Sequence, residues 1–420
     1  FQAEDGIRDR SPSRGLGDVY KRQLLVAMQE KALSISGRSE RSSGALTKSE
    51  PVPTDFILIA AGNLDSIQNM HPALRSRIRG YGYEVYVNTD MPDTERNRRR
   101  LIRFVSQEVV NERKKTSGKP IPHFDIESIG LILKEAQRRS GRRGRLSLRL
   151  RELGGLIRIA GDLAVEENAE ITTAAHVIRA RAIAKPLEQQ VADRYLERQA
   201  DYSMIVNKGE RIGRVNGLAV LGADSGLSDY SGVVLPVEAM VTAAHGRSGQ
   251  VIATGGLSDL AKESVTNISA VVKKLTGNDI KDFDVHVQFP GTHNVDGDSA
   301  SITMATAIIS AFEGVPIEQN LAMTGSLSIR GEVLPIGGVS AEIEAAAKSG
   351  IETIIIPRSN LQDVLIDEKF ESMVNVIPVD SLDEVLKHAL VGSEDKVSLV
   401  ERLALVIDTI SNSADTQPSA

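Results

Sequence analysis

The chain has 420 residues, a formal net charge of −6 at pH 7, seven histidines, no cysteine and no tryptophan. The absence of cysteine excludes disulfides, thiolate catalysis and cysteine-based metal sites, and the negative charge argues against bulk affinity for nucleic acid. The histidines form no H-x-x-x-H or similar cluster, so we predict no metal site. Two to three domains are expected for this length, and no apolar run reaches the roughly 18–20 residues of a membrane helix.

The first 23 residues, Phe1 to Gln23, show neither helical nor strand periodicity and are rich in Arg, Gly, Asp and Ser. They resemble a translated sequencing-adapter sequence, so we interpret residues 1–23 as a non-native segment without a fold of its own. The chain also lacks an initiating Met. We therefore expect an open reading frame that is truncated at its 5′ end.

The next elements combine short apolar runs with basic segments. A helix is predicted over 24–31, and the apolar run Asp55–Ala61 predicts a strand buried in a parallel sheet and ending near the polar Asn63. Region 93–188 is predicted to be helical and polar. Its arginines alternate with glutamates and leucines at helical spacing, without an aromatic platform, so a solvated helical face is favoured over a nucleic-acid site.

The later part of the chain alternates between strand and helix patterns. A charged helical linker is predicted over 189–209, and strands and helices then alternate to about Leu390. The β-rich run Phe283–Phe289 leads through a polar Gly/Asp loop to Ser299, and an apolar helix is predicted over Ile302–Phe312. A serine at such a junction has an exposed oxygen and nearby backbone N–H groups, which suits a nucleophile with an oxyanion hole. A helix-capping serine is the alternative, and caps are far commoner than nucleophiles.

The residues after this helix carry a longer pattern. The run Ala322–Val339, which contains Met-Thr-Gly-Ser and Pro-Ile-Gly-Gly, precedes a predicted helix and the strand Ile354–Pro357. Together with the Ser299 segment, this pattern resembles the proteolytic domain of Lon proteases, closest to the archaeal, B-type, membrane-anchored branch. The resemblance extends from about Leu24 to Leu390.

The resemblance implies an α/β chain with two parts. The C-terminal part of an AAA+ ATPase module, a strand remnant plus a helical lid, precedes an α+β proteolytic domain of the ribosomal-S5-like class. The implied division is 24–92 for the C-terminal part of the AAA+ core, 93–188 for the lid, 189–209 for the linker, 210–392 for the proteolytic domain and 393–420 for a C-terminal tail. Within that tail, Ser411–Ala420 is rich in Ser, Thr and Pro and is predicted to be disordered.

The resemblance also implies a Ser–Lys dyad with Ser299 as the nucleophile, but Glu342 occupies the position of the family lysine. A lysine whose pKa is lowered by burial can accept the serine proton as a neutral amine, whereas a carboxylate of ordinary pKa, about 4.3, is a much weaker base. Glu342 is therefore a sequencing error or an engineered inactivation, the mark of a natural pseudo-protease, or half of an unusual Ser–Glu pair. An acidic residue in the first turn of a helix also complements the helix dipole, which is the non-catalytic alternative.

The dyad assignment makes a geometric prediction. We expect the Cα atoms of Ser299 and Glu342 to lie within about 12 Å of each other, with a gap or a water molecule between the side chains. Lys348 lies six positions after Glu342 and points to another face of the predicted helix, so it is not expected to replace the missing lysine.

Two further residues are implied near the dyad. Asp296 resembles an acidic residue of the archaeal active site that orients the dyad, with an Asx-turn residue as the alternative. Thr324 matches a family threonine that could hydrogen-bond a catalytic amine, with an ordinary strand threonine as the alternative. Asp298 is a further candidate, and Glu238 and Glu263 are candidates for a second acidic partner.

Resemblance to the AAA+ module assigns three residues to nucleotide chemistry. Asn63 matches the sensor-1 position, Arg77 the arginine finger and Arg151 the sensor-2 arginine, with Arg75 and Arg149 as the alternatives for the two arginines. The phosphate-binding sequence G-x-x-x-x-G-K-[ST] is absent, and so is a Walker B acid. We therefore expect ATP, as Mg-ATP, to be bound only by the full-length protein.

The function implied by the resemblance is that of an ATP-dependent serine endopeptidase, a homohexamer that unfolds protein substrates and cleaves them in a closed chamber. The alternative is a proteolytically inactive Lon-like unfoldase or substrate-binding protein. No nucleic acid is expected as a partner. The archaeal branch carries its membrane spans within the ATPase domain, so we expect the parent protein to be membrane-anchored, with cytoplasmic ATPase and protease domains, through a segment missing from this chain.

Overall fold

The computed structural model divides the chain into two compact units, Phe1–Val87 and Asn88–Ala420. The described residues are 23–34, 36–38, 46–48, 50–63, 66–67, 69–115, 119–202, 204–221, 231–244, 251–254, 268, 283–290, 299–392 and 394–414. Nearly all of the segment interpreted as non-native therefore lies outside the described residues.

The first unit contains short elements. They are α1 (23–30), β1 (Ala32–Leu33), β2 (Ser36–Arg38), β3 (Leu46–Lys48), β4 (Val52–Pro53) and α2 (Pro72–Tyr81). β1 pairs with β4 and β2 pairs with β3, in both cases antiparallel. The helix predicted over 24–31 is confirmed by α1.

The strand predicted at Asp55–Ala61 does not form. Residues 54–63 have no regular secondary structure, and the side chains of Ile57 and Ile59 are 92% and 91% exposed. An apolar run becomes a buried strand only when neighbouring strands and helices cover both of its faces, and no described strand pairs with this one. The strand remnant expected here for the ATPase module was therefore wrong.

The second unit begins with a helical region, called here the lid region. Its elements are β5 (Asp90–Pro92), α3 (Glu95–Lys115), β6 (His123–Phe124), α4 (Ile126–Ser140), β7 (Arg145–Ser147), α5 (Leu150–Glu166), β8 (Ile171–Thr172) and α6 (Ala174–Ile183). The buried residues Leu153, Leu156, Ile157 and Ala160 recur at helical spacing on α5, which makes this helix the centre of the region. The predicted helical character of 93–188 is confirmed.

The rest of the second unit is a mixed α/β region. Its elements are α7 (Leu187–Asp201), β9 (Glu210–Arg211), β10 (Arg214–Leu221), β11 (Ser231–Ala243), β12 (Val251–Thr254), β13 (Phe283–Gln288), α8 (Ser301–Glu313), β14 (Ile317–Glu318), β15 (Leu321–Met323), β16 (Ser326–Leu327), β17 (Val333–Leu334), α9 (Val339–Lys348), β18 (Thr353–Pro357), a 3-10 helix (Arg358–Asp363), α10 (Glu368–Glu371), β19 (Asn375–Val379), α11 (Leu382–Ala389) and α12 (Glu394–Ala414). The strand before Ser299, the apolar helix after it and the strand at Ile354–Pro357 are confirmed.

Seven strands form one mixed sheet in the order β12-β13-β11-β10-β15-β18-β19. β11 runs antiparallel to both of its neighbours, and every other adjacent pair is parallel. Because successive side chains of a strand point to opposite faces, each central strand contributes to two cores. One core contains Val215, Val233, Met323 and Ile355 together with α8, and the other contains Leu218, Val234, Ala322 and Ile354 together with α9. The two helices therefore cover opposite faces of the same strands.

The predicted linker is a helix that packs on this sheet. α7 buries Ala192 in the core on the α8 side and Leu196 in the core on the α9 side. Gln199 is fully buried, and its Nε2 donates a hydrogen bond of 3.0 Å to the carbonyl oxygen of Val234. The charged surface of the helix is thus only its outward face.

The predicted tail is also mostly helix. α12 buries Leu399 and Leu403 in the core on the α8 side and continues to Ala414. The disorder predicted for Ser411–Ala420 is therefore wrong for Ser411–Ala414. A helix that is nucleated by buried leucines extends through polar residues at little cost, because propagation is far easier than nucleation.

Candidate active site

Ser299 lies in a turn directly before α8, and its side chain is partly exposed. The N-cap of α8 is Ala300, so the alternative in which Ser299 caps the helix is not supported. Asp296 and Asp298 lie outside the described residues. The position of Ser299 agrees with the predicted loop-to-helix junction, and its role as a nucleophile stays a prediction.

The backbone of Ser299 is tied to the end of β15. The amide of Gly325 donates to the carbonyl oxygen of Ser299 at 2.8 Å, and the amide of Ile302 donates to the carbonyl oxygen of Gly325 at 3.2 Å. Gly325 has φ of +155°, and a Cβ atom there would lie 3.1 Å from Val333 Cγ1. A side chain at position 325 would therefore disturb the contact that holds the start of α8.

Thr324 is the residue that connects the two helices. It is fully buried at the end of β15, and its amide donates to the carbonyl oxygen of Ile355 at 3.1 Å. Its hydroxyl donates to the carbonyl oxygen of Ser299 at 3.4 Å and also lies close enough to Glu342 to favour the charged carboxylate. The structure thus brings the segments of Ser299, Thr324 and Glu342 together. The Cα separation of Ser299 and Glu342 stays a prediction.

Glu342 lies in the first turn of α9, which begins after Gly338 in the left-handed conformation, with φ of 81°. The helix start is pressed against β11. A Cβ atom at Gly232 would lie 2.0 Å from the carbonyl oxygen of Ala341 and 2.8 Å from the amide nitrogen of Glu342. A Cβ atom at position 232 would clash with this backbone, so only glycine permits the approach.

The Glu342 carboxyl group is completely buried, and neither of its oxygens has a hydrogen-bond partner among the described residues. No direct hydrogen bond therefore joins it to Ser299. Burial raises its pKa from 4.5 to about 8, and the nearby Thr324 hydroxyl, which is not in hydrogen-bonding geometry, offsets this only in part. The carboxyl group is consequently protonated in most molecules at pH 7. Glu342 lies in the first turn of α9, as the helix-dipole alternative requires, but a protonated carboxyl group interacts only weakly with the dipole.

Two other candidates are engaged elsewhere. Lys348 Nζ lies 2.9 Å from Asp193 Oδ1, which confirms that it points away from position 342. Glu238 forms an ion pair of 2.8 Å with Arg214 across the β10–β11 pair. Glu263 lies outside the described residues. Neither Lys348 nor Glu238 is thus available as a partner for Ser299.

The nucleotide candidates are spread over the two units. In the first unit, Asn63 is exposed and its carbonyl oxygen accepts from the Ile67 amide at 3.3 Å, while the guanidinium of Arg77 lies 5.9 Å from the ring centre of Tyr81. The alternative Arg75 pairs with Glu84 at 3.2 Å.

In the second unit, Arg151 is exposed at the start of α5, and the alternative Arg149 is the N-cap residue of that helix. Within the described ranges, no group of three or more His, Cys, Asp and Glu residues could hold a metal ion. The helices described for this chain include none that is both long and apolar enough to cross a membrane.

Sequence reasoning missed the polar contacts that fix the start of α9. Ser340 Oγ donates to the carbonyl oxygen of Asp363 at 3.0 Å and accepts from the amide of Leu365 at 2.9 Å. Asn360 accepts from the amide of Ile336 at 2.8 Å and donates back to its carbonyl oxygen at 2.9 Å. No local pattern predicts these pairs, since the partners lie more than 20 residues apart.

Comparisons with known proteins assign most of the second unit. A family model described as the Lon protease (S16) C-terminal proteolytic domain matches residues 187–392, and a model described as the archaeal LonB AAA+ ATPase lid domain matches residues 123–185. The archaeal Lon protease of Thermoplasma acidophilum is 54% identical over 387 residues, which are 92% of this chain and 58% of that protein. The archaeal Lon protease of Archaeoglobus fulgidus is 54% identical over 91% of this chain and 60% of its own length. That of Methanocaldococcus jannaschii is 33% identical over 86% of this chain and 58% of its own length.

Proposed function

Since the chain belongs to the archaeal Lon protease family, we propose that it is part of an ATP-dependent serine endopeptidase with Ser299 as the nucleophile. The observation that carries the proposal is the position of Thr324, which contacts the carbonyl group of Ser299 and lies beside the carboxyl group of Glu342. The starts of two helices from opposite faces of the sheet thus converge at the end of β15. The proposed substrate is a peptide bond in an extended protein segment.

The chemistry requires a base for the serine proton. As the Ser299 oxygen bonds to the carbonyl carbon, its proton must move to a neighbouring group. Glu342 holds the position of the family lysine, and with a pKa of about 8 it is a poor acceptor at pH 7 and a competent one above pH 8. In this scheme the protonated Glu342 then returns the proton to the leaving amine, and water releases the acyl group. We therefore propose weak peptidase activity at neutral pH that rises as the pH passes through 8.

The burial of the Glu342 carboxyl group also favours a second candidate function. A neutral, fully buried Glu342 is not a base at physiological pH, and the nearby Lys348 is paired with Asp193. Under this proposal the chain is a Lon-like unfoldase or substrate-binding protein whose proteolytic site is vestigial. The two functions differ in whether Ser299 is reactive.

The chain spans less than two thirds of the length of the relatives compared, so further properties are proposed only for the whole protein. They are hydrolysis of ATP, assembly into a homohexamer, degradation of protein substrates and membrane anchoring with cytoplasmic ATPase and protease domains. The ribosomal-S5-like class of the proteolytic domain and the domain boundaries predicted from the sequence belong to the same proposal. The chain by itself lacks a phosphate-binding loop, because no G-x-x-x-x-G-K-[ST] sequence is present. ATP binding by this chain alone is therefore not proposed.

The test is the substitution Glu342→Lys, assayed with a fluorogenic peptide at pH 7. A buried amine should raise the rate roughly 10²- to 10⁴-fold, the usual contribution of a general base, and Ser299→Ala should abolish that gain. The unsubstituted chain should gain activity between pH 7 and 9. If the unsubstituted chain already equals the Glu342→Lys variant at pH 7, and Ser299→Ala removes the activity of both, the missing-base explanation is wrong.

Labelling with a fluorophosphonate separates the two candidate functions. If Ser299 is the nucleophile, the Glu342→Lys variant should be labelled and its Ser299→Ala derivative should not. If neither is labelled, the protease proposal fails and the unfoldase or binding function remains.

A further inference from the structure

A short segment joins the lid region to the helix that carries Glu342. This bridging segment, residues 358–371, comprises the 3-10 helix Arg358–Asp363, a connecting stretch and α10. It follows β18 and lies beside the start of α9, where Ser340 bonds to the backbone of Asp363 and Leu365. The bridging segment, the lid region and α9 all belong to the second unit.

On the lid side of the contact, one arginine forms ion pairs with two acidic residues. Arg181 at the end of α6 places Nη2 at 2.9 and 2.8 Å from the two carboxylate oxygens of Asp367, and its Nε lies 3.3 Å from Glu135 Oε2 on α4. Glu135 is buried and also binds Arg139 at 2.8 Å, so the arginine is held within the lid region. A part-buried, charge-assisted contact of this kind is stronger and more directional than an exposed ion pair.

The helix side of the contact is made by the same residue. The backbone amide of Asp367 donates to Glu344 Oε1 at 3.3 Å, and Glu344 is buried on α9. Ser340 and Glu344 flank position 342, two residues before it and two residues after it. The bridging segment therefore forms hydrogen bonds with α9 on both sides of the residue at position 342.

We propose that the Arg181–Asp367 ion pair is a positioning contact that links the lid region to the geometry of position 342. Arg181 fixes the bridging segment through the side chain of Asp367, and the segment fixes α9 through the Asp367 amide and through Ser340. A displacement of the lid region that breaks the ion pair loosens this turn and changes how the residue at 342 faces Ser299. The catalytic consequence rests on the proposed function, whereas the structural coupling does not.

The coupling is tested by hydrogen–deuterium exchange on the full chain, read in peptides that cover residues 339–348. Arg181→Gln and Asp367→Asn should each raise exchange of the α9 amides about tenfold, as expected when a charge-assisted contact that opposes local opening is lost. Lys134→Gln is the matched control, because Lys134 also pairs the lid region with the bridging segment, at 2.6 Å from Glu368, but both side chains are largely exposed. The control should leave α9 exchange unchanged. Unchanged α9 exchange in Arg181→Gln and Asp367→Asn, or an equal rise in Lys134→Gln, overturns the proposal.

A second readout concerns the reaction itself. In the Glu342→Lys background, Arg181→Gln should lower kcat for a short peptide about tenfold with little change in KM, because the contact orients the base and not the substrate. Arg181→Lys keeps the charge but loses the planar fork, so it should recover part of the rate, and it also serves if Arg181→Gln fails to fold. Loss of kcat with no change in α9 exchange contradicts the positioning route. A chain without any peptidase activity removes the proposed function, and the exchange measurement still decides the coupling.

Discussion

The two helices that meet at the candidate site start in different surroundings. α8, which follows Ser299, is buried along residues 301–310, and its buried hydroxyl groups bond to backbone groups, as that of Thr303 does to the carbonyl oxygen of Met323 at 3.2 Å. α9, which carries Glu342, starts in close contact with the backbone of Gly232. Its residues Ser340 and Glu344 form hydrogen bonds with the bridging segment. Both helices pack on nonpolar cores, but the start of α9 has in addition a very close backbone contact and polar bonds to the bridging segment.

The difference indicates which side of the candidate site responds to pH, to neighbouring charges and to movement of a contacting segment. Nonpolar packing contains no group that titrates. Polar bonds and a buried ionisable group respond to protonation, to neighbouring charges and to the position of the partner segment. We expect changes in conditions to act on the α9 side of the site first.

The largest expected effect is a pH dependence of stability that arises from α9. The pKa of Glu342 is about 8 in the folded chain and 4.5 as its ordinary value, so between these values the folded state retains a proton that the unfolded state has released. The free energy of unfolding should therefore fall as the pH rises from about 4.5 to 8, by at most about 5 kcal/mol. Denaturant unfolding at pH 5, 6.5 and 8 measures it.

Glu342→Gln should remove most of this pH dependence. Thr306→Val on α8, where the hydroxyl bonds only within its own helix, is the control and should keep the original slope. An identical slope in the original chain and in Glu342→Gln would show that Glu342 is ionised in the folded state.

The next effect compares close approaches on the two faces of the sheet. Gly232→Ala places a methyl group against the rigid backbone of α9 and should cost roughly 3 kcal/mol or more. Gly217→Ala on β10 meets Thr303 Cγ2 of α8 at 3.0 Å and the carbonyl oxygen of Leu235 at 3.2 Å, both longer than the 2.0 Å approach at Gly232, and should cost about 1–2 kcal/mol. Thermal and denaturant unfolding of both variants measures the difference, and equal costs would refute the special status of the α9 contact.

A smaller effect on stability is expected from the hydrogen bonds between Ser340 of α9 and the bridging segment. Ser340→Ala removes both hydrogen bonds to the bridging segment and should destabilise the chain by about 1–2 kcal/mol. Ser349→Ala, whose hydroxyl bonds only to Ala345 at the far end of the same helix, should cost less than about 0.5 kcal/mol. Similar losses in the two variants would mean that the bridging segment adds nothing to α9.

The smallest effect is expected from the nucleotide candidates. The chain should show no ATP hydrolysis, because it has no G-x-x-x-x-G-K-[ST] sequence to hold the phosphate on which the nucleotide candidates Asn63, Arg77 and Arg151 are proposed to act. Arg77→Ala and Arg151→Ala should therefore leave the background unchanged. ATPase activity in a clean preparation that disappears in Arg77→Ala would contradict this.

Much of the fold follows from local patterns. The strand before Ser299 alternates apolar and polar residues, α8 is mainly apolar, and β18 contains a short apolar run; each forms the predicted element because other elements cover it. The same kind of run at Asp55–Ala61 predicted a strand that does not form, since its fate depends on neighbours and not on its own residues. Local sequence therefore predicts the elements of a core better than it predicts whether a core is present.

The candidate site was predictable only in part. Resemblance aligned Ser299, Thr324 and Glu342, and the structure brings their segments together. The complete burial of Glu342 was not predictable, because it depends on how distant segments pack around the start of α9. The hydrogen bonds between residues 358–371 and α9 were likewise not predictable, because they join segments that share no sequence pattern.

The insertion of β15 between β10 and β18 has a consequence for the order of events during synthesis. Asn216, fully buried on β10, donates to the carbonyl oxygen of Leu321 on β15 at 3.3 Å across 105 residues of chain. Parallel pairing over such a distance forms slowly, and a chain made from its N-terminus cannot begin it until the later strand has left the ribosome. Thr324 follows β15 directly. Ser299 therefore leaves the ribosome before Thr324 and Glu342, and the three segments cannot come together until the later two have followed.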